Sequence, residues 1–380
     1  MIAHHPVTRP LRRPLVAAWA APSQVSSAPR PIIRKLQQLD PDVNKVRYLS
    51  PLRYPGAKAG LVPVIEQLVV ESSHTLGRTQ LFVEPFAGGA STSLRLLVNG
   101  VVERALLADA DPMVARFWQV AAADTDWLID RMWSEPVTLE RWDYWRRWSP
   151  RKRGDRDLAM KCLFLNRTTF SGILHGRAGP IGGRQQASAY GIDCRFNKVA
   201  LARRLQLIGT LYAANRIVDV WCKDWVSTLN DTAEWYPQFL PNRVVAYLDP
   251  PYLAKSERLY SRSFDPNGGY ANSLSTSTGM WSHAANHYRL AEYLRRRAQH
   301  RWLLSYDYDP VLLNDPALYS AGRMTPTFED RQALGVRCWR LSKYVVDLKY
   351  SVSRSYRGAR QELLITTLPP SAVPTAVVLQ

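Results

Sequence analysis

Asp249-Pro250-Pro251-Tyr252 follows the apolar run Val244 to Leu248. The spacing predicts a buried strand ending on a rigid turn that carries one carboxylate and one aromatic ring. Two prolines fix φ and withhold two backbone donors, which leaves carbonyl oxygens as acceptors beside the Asp249 carboxylate. Those acceptors can grip an exocyclic amino group on a flat ring, and Tyr252 can stack on that ring. A plain strand-end turn also favours Asp and Pro, so the tetrapeptide by itself leaves both readings open.

Glu84-Pro85-Phe86-Ala87-Gly88-Gly89-Ala90-Ser91 sits behind the short apolar run Leu81 to Val83. Its glycines let a ligand approach the backbone, and the helix predicted to follow offers its N-terminus to an electron-rich group. No Gly-Lys-Ser/Thr follows and the G-x-G-x-x-G spacing is missing, so a cofactor without a pyrophosphate fits better than a nucleotide phosphate. Asp109 closes the next apolar run, where an acid can accept hydrogen bonds from both ribose hydroxyls. A tight turn and a solvated Asp are the plainer readings of these two features. Upstream, Leu52-Arg53-Tyr54-Pro55-Gly56-Ala57-Lys58 sets an aromatic, a tight turn and a cation ahead of a predicted helix; a surface turn is its plain reading.

The elements that must hold these residues follow from periodicity. Strand 81–84, a glycine turn, a helix from Ser91 to Leu97 and strand 105–109 ending in an acid form the βαβ order of a doubly wound sheet. Strand-like runs resume at Arg216 to Trp221, Val244 to Leu248, Trp302 to Tyr306, Tyr344 to Tyr350 and Glu362 to Thr367. Between about 115 and 215 six tryptophans, Trp118, Trp127, Trp133, Trp142, Trp145 and Trp148, are scattered among polar residues of predicted helices. This segment holds 17 basic and 9 acidic residues, and its Gly172 to Gly191 stretch reads as an exposed hairpin or loop.

The expected architecture is α/β: a Rossmann-like sheet built from 46–114 and 216–368, interrupted by a mainly helical domain at 115–215. Residues 1–45 read as a basic, Pro-rich, disordered arm, 253–280 as a long mobile loop beside the site, and 369–380 as a loose tail.

Lys and Arg outnumber Asp and Glu by 50 to 32, a net charge of +18, which favours a polyanionic partner. No apolar stretch approaches the roughly 20 residues that span a bilayer, so the expected location is cytoplasmic, without a membrane. The four cysteines, Cys162, Cys194, Cys222 and Cys338, show no C-x2-C pairing and are expected as buried free thiols, with neither a disulfide framework nor a metal site.

Taken in order, RYPGAK, then FVEPFAGG with LADAD, then YLDPPY resemble the Dam-type (class alpha) DNA adenine-N6 methyltransferases that use S-adenosylmethionine. The resemblance runs from about 47 to 367. It includes Phe164 to Gly172, similar to the N-R-x-x-x-x-G segment of the family's recognition region, with Phe196-Asn197 after it. It also includes Asn286-His287 with Leu290-Ala291, and Ser351 to Thr366, similar to the closing hairpin.

The resemblance implies S-adenosylmethionine as cofactor. Tyr54 and Lys58 would contact it; Glu84, Pro85, Phe86, Gly88 and Gly89 would line its methionine side. Asp109 would hold the ribose, and Trp225 with Asp224 would border the adenine ring. Asp249 and the Pro250 carbonyl would accept from the target amino group, beside Pro251 and with Tyr252 stacked on a flipped base. Ala57 and Ala90 stand where the family often has Gly; both are small.

Double-stranded DNA is the implied partner, with a cognate restriction endonuclease as a candidate second one and a monomer as the expected state. DNA would be met by Asn166 and Arg167, by phosphate-holding Arg151, Lys152 and Arg153, and by Arg177, Arg184, Gln185 and Gln186, whose side chains suit guanine or adenine edges. Arg354, Arg357 and Arg360 would touch backbone phosphate. N4 of cytosine is the alternative acceptor, disfavoured by Asp in place of Ser before Pro-Pro, and a catalytically silent DNA-binding relative is a third reading.

Overall fold

The computed structural model describes residues 48–53, 60–150, 156–176, 178–250, 279–308, 319, 341–349 and 359–369. A seven-stranded sheet organises them, from β1 (Leu81–Glu84), β2 (Arg104–Asp109), β3 (Ile217–Cys222) and β4 (Val244–Leu248) to β5 (Arg301–Asp307), β6 (Ser342–Lys349) and β7 (Ala359–Thr366). Their spatial order is β3-β2-β1-β4-β5-β7-β6. The strands from β3 to β5 pair in parallel, and β7 runs antiparallel between β5 and β6. Chain order reverses between β1 and β4. In an open α/β sheet such a reversal opens a crevice at the carboxyl ends of the strands, where ligands collect. The Rossmann-like α/β expectation is met.

The strands read as apolar runs because both faces of the sheet are covered. Successive residues alternate between the faces: Phe82, Ala105, Leu107, Val245 and Tyr247 enter one apolar cluster, while Leu81, Val83, Leu106, Ala108, Val244, Ala246 and Leu248 enter the other. The first face is covered by α1 (Val62–Leu76), α2 (Ser91–Val98) and α3 (Pro112–Ala123). On the second lie α8 (Trp225–Trp235) and α9 (Gly279–Arg296), through Trp225, Leu229, Leu290 and Leu294. Among the described residues, no helix is long and apolar enough to cross a membrane.

Between β2 and β3, after α3, come α4 (Thr125–Trp133), α5 (Leu139–Arg147), α6 (Asp157–Thr168) and α7 (Lys198–Ala213). Their apolar faces join the cluster under the first sheet face, and the expected boundary at residue 115 falls within α3. Two tryptophans that look scattered in sequence, Trp142 and Trp145, stand three apart on α5 and are both buried. The Trp145 ring lies 6.4 Å from that of Phe164 on α6.

Buried Glu135 ties this group together, accepting from Arg141 Nε at 2.5 Å, Arg131 Nη1 at 2.6 Å and Trp145 Nε1 at 2.9 Å. Burial pushes its pKa up, but the hydrogen bonds from Arg141, Trp145 and Arg131 outweigh that and hold it below the usual carboxylate range.

The expectation of buried thiols needs correction. Cys162 is buried on α6, whereas Cys194 and Cys222 are exposed; the first sits in an irregular turn and the second closes the edge strand β3. Cys338, the 1–45 arm and the loop called from 253 to 280, except for its last two residues, lie outside the described residues.

Candidate active site

Register places three acids along the carboxyl edge of the sheet. Leu248 of β4 pairs with Leu304 of β5, so Asp249 emerges beside Ser305. Val83 of β1 pairs with Ala246, so Glu84 emerges beside Tyr247, and Asp109 closes β2 one strand further on. Asp249 is the first residue past the buried strand, and its carboxyl is oriented from below. Ser305 Oγ donates to Asp249 Oδ1 at 3.0 Å. With that proton committed, the 2.9 Å contact between Tyr247 Oη and Ser305 Oγ has the tyrosine as donor. Ser305 and Tyr247 are buried. The tyrosine stays protonated, because burial and then the Asp249 charge push its pKa far up.

Sequence reasoning passed over this chain of hydroxyls. Its signal is present in Trp302-Leu303-Leu304-Ser305-Tyr306, where a serine interrupts a run that must be buried and therefore needs a partner.

Glu84 is buried under the glycine turn and accepts from the Ser93 amide of α2 at 3.3 Å. Loss of hydration raises its pKa to about 8, with a further contribution from the Asp249 charge; hydrogen bonds from Ser93 and Thr92 act the other way. Pro85 is buried and Phe86 packs at the margin of the second cluster. Gly88 and Gly89 are buried at the turn, with Gly88 at φ +44°. The Gly88 amide donates to Asp109 Oδ2 at 2.9 Å, and its carbonyl accepts from Trp118 Nε1 of α3 at 2.8 Å. Trp118 is thus a supporting residue of the turn, a role that sequence reasoning did not assign. Ala90 caps α2 at φ +46°, a left-handed conformation that explains why glycine suits this position.

Asp109 also accepts from the Asp111 amide at 2.9 Å. The residue is partly exposed, but its carboxyl is enclosed by the turn, and desolvation followed by the Asp111 charge raises its pKa to about 7. Asp111 caps α3 by accepting from the Met113 amide at 2.9 Å, and it bonds His175 Nε2 of the inserted segment. At the end of β3, Asp224 caps α8, accepting from the Ser227 amide at 3.0 Å and the Ser227 hydroxyl at 2.7 Å. Trp225 is buried, its ring perpendicular to Tyr293 at 5.3 Å. Its indole packs in the core beneath the cleft. Pro250 is buried; Tyr54, Lys58, Pro251 and Tyr252 lie outside the described residues.

The residues expected to meet DNA divide into inward and outward groups. Asn166 is 1% exposed. Its Oδ1 accepts the Arg53 amide at 2.6 Å, and its Nδ2 donates to the carbonyls of Arg53 at 2.9 Å and Gly172 at 3.0 Å. Backbone takes both amide protons of this buried side chain, so Asn166 holds two chain segments together and turns away from a base edge. Gln186 turns inward as well. Its Nε2 donates to the Ile181 and Gly183 carbonyls at 2.7 Å each, and its Oε1 accepts the Ile192 amide at 2.8 Å.

Gln185 is exposed. Arg184 is exposed too, paired with Asp143 at 2.7 Å and lying 5.1 Å over the Trp142 ring. The stretch expected as a hairpin or loop is, among the described residues, an irregular loop with one bridge, Thr169 to Pro180. Phe170 and Tyr190, the two most exposed large hydrophobic residues among those described, sit at the start and end of this segment. Arg151, Lys152, Arg153, Arg177, Arg354, Arg357 and the side chain of Arg360 are outside the described residues.

Three acids at the carboxyl ends of parallel strands, one of them followed in sequence by Pro250-Pro251, suit a cationic cofactor beside an amino-group acceptor. Residues 54–272 match the family of D12 class N6 adenine-specific DNA methyltransferases. No curated protein matches the chain. The match covers more than half of the sequence and contains both the glycine turn and the Asp-Pro-Pro-Tyr motif: the chain belongs to the D12 class N6 adenine-specific DNA methyltransferases.

Proposed function

We propose that the chain transfers a methyl group from S-adenosylmethionine to N6 of an adenine flipped out of double-stranded DNA, with Asp249 as the residue that receives the amino group. The observation that carries this reading is the Asp249 carboxyl at the end of β4, held through Ser305 and Tyr247 beside Glu84. The donor set fits the cofactor. Glu84 and Asp109 both have pKa values raised first by burial and then by a neighbouring acid, and a sulfonium cation would favour their ionised forms. When bound, S-adenosylmethionine supplies a methyl group already electrophilic at sulfur.

The protein's part is orientation and charge. An aromatic amine is a poor nucleophile because its lone pair delocalises into the ring. Hydrogen bonds from N6 to Asp249 and the Pro250 carbonyl favour a pyramidal nitrogen and aim its lone pair. Ser305 holds Oδ1, so the amino proton would pass to the Asp249 carboxylate as the N–C bond forms and the methyl–sulfur bond breaks, leaving a neutral thioether. Asp109 would hold the ribose, with Tyr54 and Lys58 on the same ligand and Asp224 with Trp225 at its adenine end. An adenine inside a duplex cannot reach this crevice, and stacking on Tyr252 would offset part of the unstacking cost of a few kcal/mol. Residues 115–215 would supply the DNA-reading surface, with Gln185 and Arg184 outward.

Calorimetry on Asp109 tests the cofactor assignment. Ribose hydroxyls bond more strongly to an ionised acceptor, so affinity for S-adenosylmethionine should weaken as pH falls through about 7. Asp109→Asn should bind more weakly and lose that pH dependence; equal affinity in the variant would remove Asp109 from the ribose.

A further inference from the structure

Four guanidinium groups converge where the segment before Tyr54 meets the inserted helices. Arg53 lies on that segment, Arg167 near the end of α6, Arg195 in the turn before α7 and Arg204 on α7. The chain brings them together by contacts with backbone and apolar groups, without a carboxylate among the described residues. Asn166 exchanges two hydrogen bonds with the Arg53 backbone, at 2.6 and 2.9 Å. Arg204 Nη1 donates to the Ser50 carbonyl at 3.2 Å. Phe196, next to Arg195, packs 5.7 Å from Phe164 on the helix that carries Arg167.

Arg167 is only 7% exposed, and its buried Nε has no hydrogen-bond partner. Among the described residues, no carboxylate within ion-pair distance faces any of the four. Their repulsion is felt: burial, and then Arg204, Arg53 and Arg195, lower the Arg167 pKa to about 9. Burial and then Arg195 lower that of Arg53, beside the Cys194 thiol and the Tyr48 phenol. Arg195 is exposed and Arg53 and Arg204 are partly so, which leaves a way in from solvent.

Buried charges are ordinarily paired, and an unpaired guanidinium fork fits two oxygens of a phosphate. We propose that Arg53, Arg167, Arg195 and Arg204 form a pocket that takes one phosphate oxyanion of the DNA backbone. This rests on DNA being the substrate. A free phosphate shares the chemistry, but the segment from 115 to 215, with 17 basic and 9 acidic residues, favours a polyanion. A phosphodiester seated there would neutralise the cluster and fix the duplex against the segment that leads into Tyr54.

The test is fluorescence anisotropy of a short labelled duplex across a salt series, with wild type, Arg167→Gln and the exposed variant Arg195→Gln, whose fold is not at risk. Either substitution should weaken binding about tenfold and make the plot of log affinity against log salt shallower by up to about 0.9. A single neutral methylphosphonate, moved along the duplex, should cost wild type about tenfold at one position and cost Arg195→Gln less there. Unchanged affinity and slope in Arg195→Gln would overturn the proposal. So would inorganic phosphate, at constant ionic strength, raising the melting temperature of wild type but not of Arg195→Gln while DNA binding stays equal, since that marks a small-anion site. Binding is read without methyl transfer, so failure here is separate from failure of the catalytic reading.

Discussion

A carboxylate that accepts an amino proton works only if its orientation is fixed before substrate arrives. Asp249 is oriented by a buried donor chain in which Tyr247 gives to Ser305 and Ser305 gives to Asp249. Ser305→Ala should therefore lower kcat by about tenfold to a hundredfold, as for a hydrogen bond to a charged group, while leaving cofactor affinity unchanged by calorimetry. Ser305→Thr, which keeps the hydroxyl, should recover most of the loss. A fall in cofactor affinity matching that in kcat would mean a general structural role. Asp249 and Asp109 were legible in sequence because each ends an apolar run. Ser305 was not, because its partner is set by the pairing of β4 with β5, a register that no local pattern records. Asn166 shows the converse: its motif was read as DNA-facing, but three backbone partners turn the amide inward.

At the level of elements, the strands were readable almost to their ends because a doubly covered sheet demands continuous apolar runs. The inserted helices were harder, since their order comes from polar contacts. Glu135 links α5 to the end of α4 through Arg141, Trp145 and Arg131, and nothing around it in sequence marks a buried acid. Glu135→Ala should destabilise the protein by about 3 kcal/mol in denaturant melts, because it removes three hydrogen bonds to a buried carboxylate and leaves Arg141 without its ion-pair partner, while Arg131 keeps Asp157. Glu135→Gln, which keeps hydrogen-bonding capacity, should cost less. A loss within 0.5 kcal/mol or so, the range of ordinary surface substitutions, would mean the hub is not needed to hold these helices.

Across the whole molecule, the parallel sheet concentrates acids at one edge while the chain as a whole carries net charge +18. The composition announced a polyanionic partner, but the acidic crevice inside a basic protein emerges only from topology. Glu84 makes the crevice measurable. Its folded pKa, about 8, lies above its ordinary 4.5, so its contribution to stability is fully present below about pH 4.5 and is lost as pH rises through about 8. The cofactor-free protein should accordingly lose melting temperature over that window, and Glu84→Gln should flatten the profile. An identical slope in the variant would place the titration elsewhere.

The central claim, that Asp249 receives the amino group of adenine, is tested most directly in a host without DNA methylation. Wild type and Asp249→Ala would each be expressed, the modified bases mapped by single-molecule sequencing, and S-adenosylmethionine binding of both purified proteins measured. The account predicts N6-methyladenine at a recurring sequence with wild type, and none with Asp249→Ala although that variant still binds the cofactor. Methylation at wild-type level by Asp249→Ala would contradict it.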